Sequence, residues 1–331
     1  MNNKKNIFIL SAVFLLLISC KTNPPIAPPL PESGQVFITA NITGAQIFLD
    51  NNNTGKNTPD TIETTIGLHE VRLEKENYLS SAQNVEVLND SIVELTFTLA
   101  LATGNKIVLL EDFANVSCNP CVNSNKIIKA LTDVTYGPTK LIAIKYPTNF
   151  PSPNDPFYLA NPTDCDSRAS YYNILSAPTT IIDGTTRPIS TDSISIKAAV
   201  DQQLQKTPAF YVDVRDSIAG SIYFAPVTVR VLDGTGLDFS NIVLHTVVTE
   251  TDIEFSTPPG SNGETKFYDV MRVMLPSNTG ESLDGISQTE DVVFERQTNI
   301  NPVWKLNNIH TIAFVQNVLT KEVYQAGSTF N

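Results

Sequence analysis

Residues 108–131 have the sequence V-L-L-E-D-F-A-N-V-S-C-N-P-C-V-N-S-N-K-I-I-K-A-L, which places two cysteines between an apolar segment and a helical pattern. The run 107–113 is short and hydrophobic, which is typical of a buried strand. Apolar residues in 122–131 recur at helical spacing. The sequence therefore predicts that Cys118 and Cys121 lie at the N-terminus of a helix.

A cysteine pair at such a position favours chemistry at sulfur. The free N–H groups and the positive end of the helix dipole stabilise a thiolate, which is the form that attacks a disulfide. Pro120 suits a first helical turn, where its missing N–H is no loss. The C-x-x-C spacing also fits half of a zinc site or an inert disulfide. Zinc fits less well, because adding Cys165 gives at most three ligands, and we expect no metal.

A second motif lies in S-A-P-T-T-I-I-D-G, residues 176–184, whose pattern indicates another buried strand, entered through a proline and closed by an Asp-Gly turn. The order of strand, C-x-x-C, helix, strand and X-P-T strand resembles the thioredoxin fold. The resemblance implies an α/β/α domain over 105–206, in which Pro178 is cis and lies against the dithiol. It further implies that Asp112 relays a proton and that the backbone of Ala177 holds the partner's chain.

Within this region the sequence departs from thioredoxins and carries an insertion. Ser117 stands where thioredoxins have tryptophan, and Asn119 replaces a glycine. The insertion includes a loop over 149–162 and a predicted helix over 164–174 that starts with an acidic cap. A further helix is predicted after Asp192 and ends before a proline.

Residues 1–19 have the features of a bacterial lipoprotein signal peptide. Two lysines precede an apolar run of about twelve residues, which is too short to span a bilayer as a stable helix. The run ends in L-I-S-C, which resembles a lipobox. The resemblance implies that Cys20 is lipidated and anchors the mature protein to a membrane. Residues 20–34 are rich in proline and predict a semi-rigid tether.

The region 35–101 alternates short strand-like segments with turn residues, as in a small all-β sandwich. The segment N-N-N-T-G at 51–55 predicts one of the turns. His69 alternates with Val71 in a strand, so we expect a structural histidine rather than a ligand. The region resembles the PEGA domain in the phrases Gly44-Ala45, Thr58-Pro59, Gly67-Leu68-His69 and Asn77-Tyr78.

Residues 207–331 predict a second β-sandwich. The strand-like segments are 210–214, 227–232, 242–248, 270–275, 292–295 and 310–316. No Ser-His-Asp order and no phosphate-binding loop appear in the sequence. His245 and His310 alternate within strands, and Trp304 is expected to fill the core. The predicted fold class is multidomain α/β plus all-β, with a thioredoxin-like domain flanked by two β-sandwich, Ig-like domains.

Composition limits the partners. The chain of 331 residues carries a formal charge of −12, which disfavours nucleic acid and electrostatic adsorption to anionic lipid. Beyond the signal peptide, no segment of the sequence is long and apolar enough to cross a membrane. The predicted contact with the membrane is therefore the lipid on Cys20.

Several phrases from residue 106 to the end resemble the Omp-twenty-eight-related outer-membrane lipoproteins. They are L-L-E-D-F at 109–113, Tyr171-Tyr172, Ala177-Pro178-Thr179, Asp183-Gly184, F-Y-D-V-M-R-V-M-L-P at 267–276 and A-F-V-Q-N at 313–317. The resemblance implies a lipoprotein of the cell envelope anchored to the outer membrane. Lys21-Thr22-Asn23 gives no clear export signal, so we expect the periplasmic face.

Two functions fit these observations. The sequence leaves open whether the protein is an enzyme. The first is thiol–disulfide exchange with protein partners, in which an exposed Cys118 attacks and Cys121, inside the first helical turn, resolves. The alternative is a non-catalytic binding or structural lipoprotein whose Cys118–Cys121 disulfide is only a staple. Neither needs a cofactor. We expect Cys165 to be unpaired, with a pKa raised by Asp164 and Asp166.

Overall fold

The computed structural model describes residues 32–75, 78, 80–99, 104–288 and 290–330. The chain divides into two compact units, residues 1–100 and residues 101–331. The predicted signal peptide, the predicted lipidation site at Cys20 and nearly all of the predicted tether lie outside the described residues.

The first unit is built of strands in two sheets. The strands are β1 (Ser33–Ala40), β2 (Gln46–Leu49), β3 (Asn52–Asn57), β4 (Asp60–Thr65), β5 (Gly67–Glu74), β6 (Ser81–Val87) and β7 (Ile92–Phe97). One sheet has the order β4-β1-β7 and the other β3-β2-β5-β6. Alternate residues along the strands are buried in a shared core that includes Val36, Ile38, Ile47, Val71 and Phe97. This alternation is what the sequence predicts for a sandwich.

The turn predicted over 51–55 is wrong for most of its length. Asp50 and Asn51 form the turn with φ values of 47° and 64°, and β3 begins at Asn52, opposite Leu49. A two-residue hairpin turn of type I′ has positive φ at both positions, which Asp and Asn tolerate. Because β3 is an exposed polar strand at the edge of its sheet, apolar alternation does not mark it.

The second unit mixes helices and strands in its first half and is almost all β in its second. The first half has β8 (Val108–Ala114), α1 (Cys121–Ala130), a π-helical turn (Leu131–Tyr136), β9 (Leu141–Pro147), α2 (Pro156–Ala160), α3 (Pro162–Tyr172), β10 (Thr179–Ile182) and α4 (Ser193–Gln203). The second half has β11 (Phe210–Val214), β12 (Ser217–Ala219), β13 (Ile222–Phe224), β14 (Val227–Val231), β15 (Ile242–Glu250), β16 (Ile253–Glu254), β17 (Lys266–Phe267), β18 (Val270–Leu275), β19 (Glu281–Ser282), β20 (Val292–Phe294), β21 (Gln297–Asn299), β22 (Ile309–Asn317) and β23 (Val323–Ser328). Short 3₁₀ turns occupy Phe239–Asn241 and Leu306–Asn308.

One long sheet runs through both halves of the second unit. Its order is β10-β8-β9-β18-β15-β22-β23, with β19 also paired to β15. Strands β8 and β9 are parallel, β10 is antiparallel to β8, and Val270 of β18 pairs in parallel with Lys145 of β9. The predicted regions 105–206 and 207–331 therefore contribute strands to the same sheet.

Strand β8 is buried on both faces, and its alternation decides which helix each side chain meets. Val108 and Leu110 lie in a core with residues of α1 and α4, whereas Leu109 and Phe113 lie in a core with residues of α3. By the same period of two, Asp112 belongs to the face that carries α1. Sequence alternation thus brings an acidic residue beneath the helix that begins at Cys121.

The remaining strands add further layers. A sheet of order β11-β14-β20 packs against β15 and β22 through residues that include Phe210, Val229, Leu244 and Val315. Two smaller sheets have the orders β12-β13-β21 and β16-β17. The protein is mostly β, with several sheets, and the strands predicted for the C-terminal region are present.

The predicted acid cap of the helix over 164–174 is wrong. Helix α3 begins at Pro162 and is capped by Asn161, whose side chain accepts a hydrogen bond from the backbone N–H of Asp164. Proline at the first helical position needs no partner for its nitrogen. The carboxylate of Asp164 instead accepts a hydrogen bond from the backbone N–H of Met274 at 2.9 Å.

Candidate active site

The two cysteines of the C-x-x-C form a disulfide. The Sγ atoms of Cys118 and Cys121 are 2.06 Å apart, and the Cα atoms 5.3 Å. Cys121 is the first residue of α1, and Cys118 lies in the turn that precedes it. The backbone N–H of Cys121 donates to the carbonyl of Cys118 at 3.2 Å, so this donor of the helix start is already satisfied. The two cysteines thus lie at the N-terminus of a helix, as the sequence predicts.

Both sulfur-bearing residues are buried. Cys118 is 2% exposed and Cys121 0%, and they pack with Ala114 and Ala177. The expectation that Cys118 faces solvent is therefore wrong in this state. The physical reason is that contact with Ala114 of β8 and with Ala177, which precedes the cis proline, shields the two cysteines from solvent.

The X-P-T motif lies beside the disulfide. The Ala177–Pro178 peptide bond is cis, and it leads directly into β10, which pairs with β8 in the register Thr180↔Asp112. Ala177 is partly buried against the two cysteines. The strand pairing thus brings two motifs that are about sixty residues apart in sequence to one end of the sheet.

Asp112 is buried, 1% exposed, on the α1 face of the sheet. One of its carboxylate oxygens lies 3.3 Å from Nζ of Lys145, and the other accepts a hydrogen bond from the Thr180 hydroxyl at 3.2 Å. A buried carboxylate with these partners has both oxygens satisfied. Lys145 was not predicted as a site residue. Its signal in the sequence is a single lysine within the apolar strand L-I-A-I-K-Y-P.

A chain of polar side chains continues from Lys145 toward the surface. The Lys145 ammonium contacts Oδ1 of Asn125 on α1. The Nδ2 atom of Asn125 lies 2.8 and 2.9 Å from the two carboxylate oxygens of Glu264. Asn262 also donates to Glu264, at 2.7 Å. Glu264 and Asn262 belong to a segment far along the chain, and no sequence motif marks either of them.

That segment, residues 255–265, is called the flap here. It joins β16 to β17, and its tip lies against the turn that carries Cys118. The backbone N–H of Asn262 donates to the carbonyl of Val116 at 3.2 Å. The side chain of Asn262 lies 3.4 Å from the carbonyl of Cys118. The flap thus contributes to the surroundings of the disulfide.

A cleft of about 600 Å³ lies between α1 and the end of the flap. Its lining includes the polar residues Asn125, Lys126, Lys129, Glu264, Lys266 and Tyr268. The ammonium of Lys129 lies 4.3 Å above the centre of the Tyr268 ring. The cleft borders the polar chain rather than the sulfur atoms.

The third cysteine of the second unit, Cys165, is free and buried in α3. Burial raises the pKa of its thiol, and the nearby carboxylates of Asp164, Asp155 and Asp166 raise it further. The predicted direction is confirmed, although burial is the larger cause. The structure does not bring Cys165 into the C-x-x-C cluster, which packs with Ala114 and Ala177.

The histidines have structural surroundings. His69 lies 2.7 Å from a carboxylate oxygen of Asp50, and this contact raises the pKa of the imidazole. His245 is buried and stacks on Phe314, and His310 stacks on Phe330. Across the described residues, no group of three or more His, Cys, Asp or Glu side chains is arranged to hold a metal ion. None of the helices in the described part of the chain is long and apolar enough to cross a bilayer.

Comparison with known proteins gives one family match and several related structures. Residues 33–102 match the PEGA domain family. HBP35 of Porphyromonas gingivalis is similar in structure with a TM-score of 0.57 and 15% identity, over 68% of this chain and 75% of that one. At this identity the likeness concerns the fold alone. Among curated proteins, none matches the chain.

Two further solved structures are similar to parts of the chain. One, from Agrobacterium tumefaciens, has a TM-score of 0.45 and 12% identity, over 67% of this chain and 92% of that one. The other is a domain of the outer membrane lipoprotein Omp28 from Porphyromonas gingivalis. It has a TM-score of 0.26 and 16% identity, over 37% of this chain and 88% of that one.

Proposed function

We propose that the protein is a membrane-anchored thiol–disulfide exchange protein with a thioredoxin-like site. The observation that carries the proposal is the disulfide at the start of α1, packed beside Ala177 of the cis Ala177–Pro178 peptide. A thiol at a helix N-terminus is favoured as thiolate, and so the reduced pair would be chemically active. The expected partners are protein thiols or disulfides.

The strand arrangement around the site supports the thioredoxin-like assignment. A parallel pair, β8 and β9, flanked by the antiparallel β10 and covered by helices on both faces, corresponds to the strand and helix order that the sequence predicts. Beyond this predicted arrangement, the sheet continues from β9 into β18, β15 and β22. In the proposal, this continuation serves as a rigid support and supplies the flap.

The exchange proceeds in two displacement steps when the pair is reduced. The Cys118 thiolate attacks one sulfur of a partner's disulfide, forms a mixed disulfide and releases one partner thiolate. The Cys121 thiolate then attacks Sγ of Cys118, which forms the intramolecular disulfide and releases the second partner thiolate. Before this second step, Asp112 accepts the proton of the Cys121 thiol. Two electrons pass to the partner, and the reverse sequence, started by a partner dithiol, returns them.

Anchoring belongs to the same proposal. The lipobox-like L-I-S-C and the proline-rich tether support attachment of Cys20 to the outer membrane, at its periplasmic face. A periplasmic protein is shielded from protease added to intact cells. Rapid cleavage of the β regions in intact cells would contradict the periplasmic placement.

The reduction potential of the Cys118–Cys121 pair tests the exchange function. Exchange proteins have potentials between about −270 and −120 mV, whereas structural disulfides lie below about −300 mV. Equilibration of the full-length protein in dithiothreitol or glutathione buffers, followed by alkylation and mass spectrometry, measures the value. We expect a potential within the exchange range, and a value below it would contradict the proposal.

A second candidate function is favoured by one observation, the burial of Cys118 and Cys121. A buried disulfide is shielded from thiolates and fits a structural staple in an envelope protein whose β units bind a ligand or a neighbour. Under this alternative the chain-entropy stabilisation by so short a loop is only about 2 kcal/mol. A potential below about −300 mV, together with a loss of about 2 kcal/mol in the free energy of unfolding when the disulfide is reduced, would favour it.

A further inference from the structure

The flap has a firmly packed base. Strands β16 and β17 pair as Ile253↔Phe267 and Glu254↔Lys266. The ring of Phe157 lies 4.9 Å from that of Phe267 and 5.7 Å from that of Phe255. Residues 253 to 255 and 266 to 267 are thus fixed to the body of the unit by apolar contact. Any movement of the flap would have to occur between them.

The tip approaches the turn before Cys118 without a side chain between the two backbones. A Cβ atom placed on Gly260 would lie 2.2 Å from the carbonyl oxygen of Val116. Only glycine permits this approach. Ser261 adds one weak contact, from its N–H to the Ser117 hydroxyl at 3.4 Å. Backbone proximity and a few polar contacts therefore hold the tip down.

The strongest of these polar contacts is made by Glu264. Its carboxylate accepts hydrogen bonds from Nδ2 of Asn125 at 2.8 and 2.9 Å. Asn125 lies on the helix that begins at Cys121. The carboxylate also accepts a hydrogen bond from the side chain of Asn262, which belongs to the flap itself. Hydrogen bonds to a charged acceptor are stronger than those between neutral groups. One carboxylate thus joins the flap to the helix of the redox pair.

We propose that Glu264 is a positioning residue that holds the flap closed over the turn carrying Cys118. The closed flap then selects which partners reach the disulfide, an inference that rests on the proposed exchange at Cys118. A small thiol needs little space. A protein partner must place its own backbone next to Cys118 and Ala177, where the closed flap occupies one side. Opening of the flap is then required for protein partners above all.

The test compares two reductants of different size, dithiothreitol and a reduced thioredoxin, on the oxidised full-length protein in detergent. Glu264→Ala should raise the rate of reduction by the protein reductant at least about tenfold, because it removes hydrogen bonds to a charged group. The rate with dithiothreitol should rise less. Glu254→Ala is the matched control, since this exposed glutamate of the same hairpin pairs with the exposed Lys266. It should change neither rate.

Gly260→Val provides a second, independent way to displace the tip, because its side chain would collide with the Val116 carbonyl. It should shift the ratio of the two rates in the same direction as Glu264→Ala. General loosening of the fold would raise both rates equally, and would appear as a lower unfolding midpoint. An unchanged ratio in both variants overturns the proposal.

Failure of the flap proposal and failure of the exchange function give different results. If Cys121→Ser traps partners on Cys118 while the rate ratios stay constant, exchange occurs without selection by the flap. If the ratios shift but no partner is trapped, the flap shields a disulfide that has no exchange function, and the selection of partners is overturned with it.

Discussion

The side-chain amide of Asn125, on the helix that starts at Cys121, donates to the carboxylate of Glu264, which lies 139 residues later in the chain. Asn125 also accepts from Lys145, the partner of the buried Asp112. Asn125 therefore links Lys145, the partner of the buried acid beneath α1, to Glu264 of the flap. Changes in the C-terminal half can for this reason alter the site in the N-terminal half of the unit.

The buried ion pair between Glu111 and Arg168 should be a main determinant of stability. Nη2 of Arg168 lies 2.9 Å from the Glu111 carboxylate, and the Tyr172 hydroxyl donates to the same carboxylate at 2.6 Å. Arg168→Met would leave a buried charge without its partner, and we expect a loss of about 3–5 kcal/mol in the free energy of unfolding. Urea denaturation measures it.

The control for that substitution is Lys197→Met, which removes a cation from an exposed i,i+4 pair with Asp201. Exposed pairs contribute little, so the unfolding midpoint should stay where it is. If Arg168→Met also leaves the midpoint unchanged, the buried pair is not formed as described.

Gly184 should be irreplaceable in the turn that follows β10. Its φ is +74°, and a Cβ atom there would lie 1.7 Å from the carbonyl oxygen of Lys321. Gly184→Ala should therefore prevent the close approach of the two halves and destabilise the unit strongly. Gly236→Ala is matched in φ, at +75°, but has open space around it, so it should cost only about 1–2 kcal/mol. Equal effects of the two substitutions would contradict this packing.

Cys165 should be protected in the folded protein. Its thiol is buried, and its pKa is raised by burial and by three carboxylates, which keeps it protonated and unreactive. Iodoacetamide should label no cysteine of the native oxidised protein, and one per chain after denaturation without reductant. Absence of labelling after denaturation would show that Cys165 is bridged. Rapid labelling of the native protein would show that it is exposed.

His69 should titrate above the usual range of a histidine and make the stability of the first unit depend on pH. The hydrogen bond to Asp50 raises the pKa of His69, and the same contact lowers the pKa of Asp50. The stabilisation from His69 is fully present below its unfolded pKa and is lost as pH rises through its folded pKa. That from Asp50 is present above its unfolded pKa and is lost as pH falls through its folded pKa.

Proton NMR titration of the imidazoles checks this assignment. We expect His69 to titrate above pH 6.5, and His310 below it because burial lowers the pKa of His310. In His69→Asn the loss of stability on raising the pH through the His69 titration should disappear. A pKa of His69 at or below the pKa of His310 would rule out the contact between His69 and Asp50.

Local patterns predicted much of the fold. The apolar run before Cys118, the helical spacing after Cys121 and the proline before β10 each act over a few residues, and the structure contains all three elements. Polar edge strand β3 was missed because its residues bury little, so no apolar alternation distinguishes it from a turn.

The parts of the site that were missed depend on contacts between distant residues. The Ser261–Ser117 contact joins residues 144 apart, and nothing in the composition of the flap indicates where it packs. Cys118 is buried with Ala177, about sixty residues later in the chain, and the local pattern gives no sign of that contact, which is why the expectation of an exposed sulfur failed. Lys145 could have been suspected, because a lone lysine in an apolar strand needs a buried partner.

Trapping on Cys118 tests the central claim most directly. In Cys121→Ser the resolving thiol is absent, so a mixed disulfide between Cys118 and a partner has no intramolecular exit. When Cys121→Ser is produced in its native envelope, we expect partner proteins to accumulate covalently on Cys118 and to be released by reductant, while Cys118→Ser traps nothing. If Cys121→Ser traps no protein, and both variants merely lower the unfolding midpoint equally, the exchange function is wrong and the disulfide is a staple.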